Sequence, residues 1–171
     1  MSKAPPDPGR FDATDFRNAL GAFATGITIV TTLTADGKRL ALTVNSFNSV
    51  SLDPPLVLWS LASSSASLAA FRTVPYFAVN ILAEGQEAVA QHFARRGDDK
   101  FIGCGVEVTQ GLGGIPLLEG VSARFECRSE HQAEGGDHIV FFGRVERYHH
   151  WDRPPLVFHR GRYTKLHSLT G

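Results

Sequence analysis

A run of hydroxyl and amide side chains between residues 43 and 57 is the part of the sequence best suited to bind a ligand. It reads Thr43-Val44-Asn45-Ser46-Phe47-Asn48-Ser49-Val50-Ser51 and continues as Leu52-Asp53-Pro54-Pro55-Leu56-Val57. Such a segment is a poor core strand, because each buried hydroxyl or amide needs its own hydrogen-bond partner. Hydroxyls, amides and backbone N–H groups suit an anionic, ring-bearing ligand such as a nucleotide. The alternative is a polar edge strand that runs into a turn.

Five other segments follow one another in the order of a known family. They are Phe23-Ala24-Thr25-Gly26 with the strand to Thr32, Phe77-Ala78-Val79-Asn80, Phe93-Ala94 followed by Asp99-Lys100-Phe101, Gly135-Gly136-Asp137-His138 with Phe142-Gly143-Arg144-Val145, and Pro155 through Tyr163. Together with the polar run, they resemble the short-chain flavin reductases, the reductase partners of two-component flavin-dependent monooxygenases. The resemblance extends from about Phe16 to Tyr163 and so covers nearly the whole chain.

The chain departs from the family pattern inside the polar run. The family usually has Gly-x-Thr-Ala-Ser-Ser-Phe where this sequence has Ala41-Leu42-Thr43-Val44-Asn45-Ser46-Phe47. Val44 adds bulk, and Asn45 offers an amide in place of a hydroxyl. We expect both differences to affect which flavin is bound and how tightly. Neither difference argues against the binding of a flavin.

The resemblance implies a flavin site built on the polar run and on the serines that follow it. The implied flavin-binding residues are Thr43, Val44, Asn45, Ser46, Ser49, Val50, Ser51, Ser60, Ser63 and Ser67. The last three stand near the start of a predicted helix, where unpaired N–H groups favour a phosphate, although helix capping alone explains any one of them. The sequence has no Gly-x-Gly-x-x-Gly after a strand, so a nicotinamide nucleotide would share the cleft of the flavin.

His138 is the candidate catalytic residue. It follows Asp137, a further candidate cofactor-binding residue, at the mouth of a predicted hairpin. The resemblance implies that His138 lies near the nicotinamide, where an imidazole would contact the carboxamide or the diphosphate. The alternative is that Gly-Gly-Asp-His is simply a good turn sequence. Hydride passes from the nicotinamide C4 to the flavin N5 by cofactor chemistry, so the lack of a Ser-His-Asp set agrees with this function.

Further candidates lie outside the polar run. Phe158, Arg160 and Tyr163 are expected to close the pocket from the last strand, and Lys100 to reach a phosphate. The alternatives are an aromatic core position and a solvated lysine. The sequence also carries His149, His150 and Asp152, but adjacent histidines on a strand point to opposite faces. We therefore expect no metal site.

Composition limits the class of protein. The chain has 171 residues, 43% of them hydrophobic, which fits one domain with a sizeable core. Seventeen basic and 17 acidic residues give a formal net charge of zero, so the chain lacks the excess of positive charge typical of nucleic-acid binding. No apolar run is long enough for a membrane helix, and two distant cysteines fit a reducing cytoplasm. Residues 1–10 resemble a flexible tail rather than a signal peptide, and residues 11–171 a single domain.

The predicted elements favour a mainly β protein. A helix is expected to start near Thr14, which is the candidate N-cap, with Phe16, Leu20 and Phe23 facing inward. Residues 103–119 are expected to be loop with one short strand. Strands are predicted at 27–33, 39–45, 56–61, 76–82, 121–132, 139–149 and 156–159, and helices up to residue 71 and at 86–95. Without regular βαβ alternation, the pattern indicates a closed β-barrel with peripheral helices. The resemblance implies the same, as a split barrel that forms a homodimer.

The function implied by the resemblance is an NAD(P)H:flavin oxidoreductase. It would transfer hydride from NADH or NADPH to FMN or FAD, and reduced flavin would diffuse to a partner monooxygenase acting on an aromatic or similar compound. One alternative is a flavin-binding electron carrier without nicotinamide activity. Another is a split-barrel oxidase of the pyridoxamine phosphate type, which is disfavoured because Arg and Lys are sparse between Asn45 and Ser67.

Overall fold

The computed structural model describes residues 12–97 and 99–166. The predicted tail, residues 1–10, lies outside the described residues, as do residue 11 and residues 167–171 of the predicted domain. Within the described residues, no helix has the length and apolar character needed to cross a membrane.

The described residues form a mainly β protein, which confirms the predicted fold class. The helices are α1 (Ala13–Leu20), α2 (Leu68–Phe71) and α3 (Glu87–Ala94), and a 3₁₀ turn covers Leu112–Gly114. The strands are β1 (Thr25–Gly26), β2 (Thr28–Leu33), β3 (Arg39–Val44), β4 (Asn48–Leu52), β5 (Pro55–Ala62), β6 (Tyr76–Ile81), β7 (Val108–Gln110), β8 (Pro116–Leu118), β9 (Ala123–Gly135), β10 (His138–His150), β11 (Val157–His159) and β12 (Arg162–Thr164).

A seven-stranded antiparallel sheet carries the fold, in the order β3-β2-β6-β9-β10-β5-β4. The long hairpin of β9 and β10 lies at its centre, where β9 also pairs with β6 and β10 with β5. Strands β1, β11 and β12 form a small second sheet, and β7 pairs only with β8. Strands β3 and β4, which are consecutive in the chain, are therefore the two opposite edges of the large sheet.

Both faces of the large sheet are covered by apolar side chains. On one face Trp59 packs against Phe141, with ring centroids 4.8 Å apart, and against Phe71 at 5.0 Å. On the other face the residues of α3, including Phe93, pack with Leu82 and other residues of a second buried cluster. Strand β2 lies between the two clusters, which explains why five of its six residues are buried.

Asn80 connects three strands inside the core. Its amide nitrogen donates to the carbonyl of Ile29 at 3.0 Å and to the hydroxyl of Thr31 at 3.3 Å. Its amide oxygen accepts a hydrogen bond from the N–H of Leu118 at 3.0 Å. Since Asn80 is fully buried, these bonds satisfy the requirement that a buried amide be paired. The asparagine of the predicted central strand is thus a structural residue that joins β2, β6 and β8.

Gly143 and Cys127 show how tightly β10 packs in the interior. A Cβ at Gly143 would lie 2.8 Å from the Cβ of Cys127 and would overlap the ring of Phe77. Burial, with a smaller effect from the charges of Glu126 and Glu146, raises the pKa of the Cys127 thiol to about 12. This thiol is therefore protonated and unreactive at neutral pH.

The first helix differs from the prediction. Its N-cap is Asp12, whose side chain accepts hydrogen bonds from the N–H groups of Thr14 and Asp15, so the cap is not Thr14. Phe16, Leu20 and Phe23 do not face the core of this chain, because they are 51%, 60% and 77% exposed. The helix lies beside the turn between β11 and β12 instead of on the large sheet, and its C-terminal end is fixed there by a bond from Arg160 N to the carbonyl of Gly21 at 2.9 Å.

Four of the described strands are absent from the predicted elements, because each is short or polar; the first of them is β1. Residues Asn48–Leu52 of the polar run form the edge strand β4, as one of the two interpretations of the run predicts. The segment 103–119 contains two strands, β7 and β8, instead of one, and β12 follows the strand predicted to be last. Strands of three residues are too short for an alternating pattern to be recognised in sequence.

Candidate functional site

A cavity of about 720 Å³ lies where the ends of β3, β5 and α3 meet the turn between β9 and β10. This volume is within the range of small-molecule sites, roughly 300–1,000 Å³. The residues predicted from sequence that line this first cavity are Thr43, Val44, Asn45, Ser46, Ser60, Ser67, Lys100 and His138. Residues separated by almost a hundred positions in the chain are thus brought to one space.

Ser46 closes one wall of the first cavity. Its hydroxyl donates to the carbonyl of Ser60 at 3.1 Å and accepts from the N–H of the same residue at 2.9 Å. Because this hydroxyl both donates to and accepts from the backbone of β5, the role of Ser46 in the fold is structural. The hydroxyl of Ser60 has no partner in the described part of the chain and is available to a ligand.

Thr43 and Lys100 hold α3 against β3. The Thr43 hydroxyl donates to the carbonyl of Ala90 at 2.7 Å. The Lys100 ammonium donates to the carbonyls of Ala41 at 3.1 Å and Phe93 at 2.9 Å. Burial lowers the pKa of Lys100 below its ordinary value. Two of the three N–H groups of Lys100 are therefore used by the fold, and at most one remains for a phosphate.

The segment after α3 is held by a second set of contacts. Asp99 forms an ion pair with Arg39 at 2.6 Å and accepts a hydrogen bond from the N–H of Phe101 at 3.0 Å. The hydrogen bond from Arg39 lowers the pKa of the Asp99 carboxyl. The guanidinium of Arg39 also lies 4.9 Å from the centroid of the Phe101 ring. The Asp-Lys-Phe motif therefore serves mainly to position the cavity wall.

Hydroxyl groups are also concentrated in the turn before α2, residues 64–67, here called the serine turn. Ser64, Ser65, Ala66 and Ser67 line the cavity, and Ser65 already accepts a bond from the N–H of Ser67 at 3.3 Å. Ser67 is the N-cap residue of α2, but its hydroxyl makes no capping bond. Capping therefore does not account for this serine. Its hydroxyl and that of Ser64 have no hydrogen-bond partner in the described residues, so they remain free to bind an anionic ligand.

Two arginines of this cavity were missed by the sequence reasoning. Arg95 and Arg96 follow α3 and line the same cavity as the serine turn. Neither takes part in an ion pair within residues 12–97 and 99–166. The low density of positive charge between Asn45 and Ser67 therefore does not describe the cavity, because its positive charge comes from a different part of the chain. An adjacent pair of arginines at a helix end was the only sequence signal for them.

His138 reaches the first cavity from the start of β10. Its Nδ1 lies 2.7 Å from the Oδ1 of Asp137, and this hydrogen bond is the main cause that lowers the pKa of Asp137. Since an ionised carboxylate only accepts hydrogen bonds, Nδ1 carries the proton and Nε2 is left for a ligand. The carbonyl of Asp137 accepts from the N–H of Ser63 at 2.8 Å, so Gly-Asp-His is both a turn and a cavity edge.

A second cavity, of about 800 Å³, lies between α1 and the turn that joins β11 to β12. It is lined by Phe23, Thr25, Phe158 and Arg160, among others. Asn45 lines both cavities. The two spaces therefore adjoin at this residue, which is one of the two positions that depart from the family motif.

Several predicted residues lie outside the first cavity. Ser49, Val50 and Ser51 belong to the edge strand β4 and line neither cavity. Tyr163 lines neither of the two cavities and packs against Phe158, with ring centroids 5.6 Å apart. The N–H of Ser63 and the carbonyl of Asp137 form a backbone hydrogen bond beside the first cavity. Their binding roles, like those of Phe158 and Arg160 in the second cavity, stay predictions.

The histidines at the far end of β10 are remote from both cavities. His149 and His150 are exposed, and the ring of His149 packs 4.9 Å from that of Trp151. Among the described residues, no group of three or more His, Cys, Asp or Glu side chains is arranged to hold a metal ion.

Comparison with known proteins identifies the family. The model of the flavin reductase like domain matches residues 20–167, and the chain therefore belongs to that family. Relatives include FMN reductase (NADH) SmoA of Agrobacterium fabrum, 44% identical over 93% of this chain and 89% of the relative. The monooxygenase reductase subunit HsaB of Rhodococcus jostii is 42% identical over 91% and 78% of the two chains. The chain spans only 49% and 47% of two other relatives.

A solved structure supports the same assignment. The NADH:FAD oxidoreductase SgcE6 of Streptomyces globisporus, in complex with NAD and FAD fragments, superposes with a TM-score of 0.90. It is 35% identical, and the match covers 99% of this chain and all of that one. The predicted resemblance and the split-barrel fold are both confirmed.

Replacing Ser46 and Ser60 by alanine separates the structural hydroxyl from the free one. Ser46→Ala leaves the backbone N–H and carbonyl of Ser60 without their partner, so we expect a loss of about 1–3 kcal/mol in the free energy of unfolding. Ser60→Ala removes no intramolecular bond, and its free energy of unfolding should stay within about 0.5 kcal/mol of the parent. Urea denaturation followed by Trp fluorescence measures both, and equal losses would contradict this division of roles.

Proposed function

We propose that the protein is an NADH-dependent flavin reductase that passes hydride to FMN or FAD. The observation that carries the proposal is a pair of adjoining cavities that share Asn45, one rich in hydrogen-bond donors and the other lined by both aromatic and cationic side chains. Relatives named FMN reductase (NADH) and NADH:FAD oxidoreductase support it. When bound, the two cofactors supply the hydride chemistry, and the protein supplies binding, orientation and exclusion of water.

The first cavity is the proposed flavin site. The serine turn and Ser60 offer hydroxyl donors, and Arg95 and Arg96 add positive charge to the same cavity. Guanidinium groups bind phosphate through paired, charge-assisted hydrogen bonds. This arrangement suits the phosphate end of a flavin nucleotide, while Val44 and Asn45 would face its ring. The same wall fits FMN or the diphosphate of FAD.

The second cavity is the proposed nicotinamide site. Phe158 and Phe23 give it apolar surface, and Arg160 gives it positive charge. Hydride transfer requires the two reacting rings to be held roughly 3–3.5 Å apart. Since Asn45 lies between the two cavities, it is the residue at which ligands of both cavities would meet. The protein would thus orient the reaction without using an acid or a base of its own.

NADH consumption by the purified protein tests this function. Loss of the absorbance of reduced nicotinamide should depend on added FMN or FAD and should be much slower with flavin in the absence of protein. NADPH, tested in parallel, determines the nicotinamide preference. Absence of oxidation with either flavin and either nicotinamide, while flavin still binds, would favour the electron-carrier alternative instead.

His138→Ala should impair the use of NADH more than the binding of flavin. His138 lines the first cavity and not the second, and its Nδ1 is occupied by Asp137. The expectation therefore requires the nicotinamide ring to extend past Asn45 into the first cavity, where it would lie against the flavin ring. Loss of one hydrogen bond to a charged or strongly polar group predicts a rise of roughly tenfold in KM for NADH. Steady-state kinetics at saturating flavin and a flavin titration measure the two effects. His150→Ala, an exposed histidine at the other end of β10, is the control, and unchanged KM and kcat in His138→Ala would overturn this role.

The proposed partner is a flavin-dependent monooxygenase that receives reduced flavin by diffusion. Relatives named as reductase subunits of monooxygenases support this role. The protein is further proposed to act in the cytoplasm, since both cysteines are free and buried and a disulfide framework is not needed for such a core. A monooxygenase kept behind a dialysis membrane should still form product, and a requirement for direct contact would exclude diffusion.

The protein is also proposed to be a homodimer. Leu20 of α1 and Phe23 of the segment after it are exposed apolar residues that line the second cavity. Exposed apolar side chains of this kind mark interaction surfaces, and a second copy of the chain would cover them while leaving the second cavity open to a ligand.

The mass in solution tests the dimer. Sedimentation should give twice the chain mass of 18.6 kDa. Leu20→Asp should shift the protein to monomer, because it places a charge in the proposed interface, whereas Ile102→Asp, at an exposed apolar residue elsewhere, should not. A monomeric parent, or a Leu20→Asp variant that sediments as the parent does, would contradict this assignment.

A further inference from the structure

The turn between β11 and β12 contains an arginine in an unfavourable backbone conformation. His159 pairs with Arg162, so the turn consists of Arg160 and Gly161 alone. Their φ angles are 48° and 77°, both in the left-handed region. Hairpin turns of this kind favour Asn-Gly or Gly-Gly. Gly161 conforms, but among the described residues Arg160 is the one non-glycine residue with a positive φ.

The fold gives no reason for an arginine at this position. The guanidinium of Arg160 makes no hydrogen bond or ion pair with any residue in the described part of the chain, and the residue is exposed. Its backbone N–H donates to the carbonyl of Gly21 at 2.9 Å, a bond that asparagine or glycine would make equally well. A strained residue that the surrounding structure does not need is a candidate for a functional role.

The position of Arg160 indicates what that role is. It lies at the second cavity, together with Arg17 of α1 and with Phe158. Asp15 is the only carboxylate residue that lines this cavity in the described structure, so cationic side chains outnumber acidic ones there. An arginine binds the oxygens of a diphosphate in a paired geometry that few other side chains offer.

We propose that Arg160 is a positioning residue that binds the diphosphate of the nicotinamide dinucleotide. This proposal rests on the assignment of the second cavity to the nicotinamide nucleotide. A diphosphate held at the turn would leave the nicotinamide end directed along the cavity toward Asn45, which adjoins the flavin cavity. Arg160 would then also determine specificity for a dinucleotide over a mononucleotide, which lacks the diphosphate link.

Arg160→Asn tests the proposal, because it should stabilise the turn while it weakens the proposed contact. Asparagine tolerates the left-handed conformation, so we expect the Tm to rise by roughly 2–4 °C. We expect KM for NADH to rise roughly tenfold, the effect of losing a charged hydrogen bond, with little change in kcat or in flavin affinity. The preference for NADH over reduced nicotinamide mononucleotide should fall by a similar factor. Arg160→Lys should restore part of it.

Arg162→Asn is the matched control. It removes the same charge from the same hairpin, but Arg162 does not line the second cavity. Its KM and its preference for the dinucleotide should equal those of the parent. A merely structural role of Arg160 would change the Tm without changing this preference.

A titration with NAD⁺ measures the contribution of Arg160 to binding in the absence of turnover. Binding to Arg160→Asn that is roughly tenfold weaker than to the parent supports the proposal, and equal affinities overturn it. A rise in the flavin dissociation constant with NAD⁺ binding unchanged overturns it as well, since Arg160 would then serve the flavin. A Tm of Arg160→Asn that does not rise would show that Arg160 does not strain the turn, which contradicts the premise of the proposal. Failure of the parent to oxidise NADH defeats the proposed function alone, because the NAD⁺ titration still decides the role of Arg160.

Discussion

The hydroxyl of Ser46 joins parts of the sheet that the strand order leaves far apart. β3 is one edge of the seven-stranded sheet, and β5 is next to the opposite edge. The two hydrogen bonds between Ser46 and the backbone of Ser60 therefore close the sheet on itself beside the first cavity. Thr43 and Lys100 then attach α3 to the strand so positioned. Ser46 and Ser60 both line the first cavity, so this closure forms part of its wall.

The polar residues at the site divide into two groups by their hydrogen bonds. The polar groups of Ser46, Thr43 and Lys100 mostly bond to other residues of the chain. The hydroxyls of Ser60 and Ser67 have no hydrogen-bond partner among the described residues, and both residues line the cavity. All five residues are partly buried, so burial does not separate the two groups; the groups differ in whether the fold supplies a hydrogen-bond partner or leaves it to a ligand. The fold and the binding site therefore draw on one set of small polar residues.

The charges that suit the site to nucleotides come from segments distant in the chain. Arg95 and Arg96 follow α3, and Arg160 belongs to the last hairpin, yet each lines one of two cavities that adjoin at Asn45. A reductase that brings two anionic cofactors together needs positive charge at both ends and little at the point where the rings meet. The neutral side chains of Val44 and Asn45 agree with that requirement.

The sequence by itself determined the family, most strands, the hairpin around Gly135–His138 and the helix near residues 86–95. These features are local, because alternation, turn residues and motif order are written in neighbouring positions. The tertiary structure decided which hydroxyls stay free, brought Arg95 and Arg96 to the serine turn, and left Phe16, Leu20 and Phe23 outside the core of the chain. It also assigned Asn80 to the core. Partners such as Thr43 and Ala90, 47 positions apart, are chosen by packing, and no local pattern records that choice.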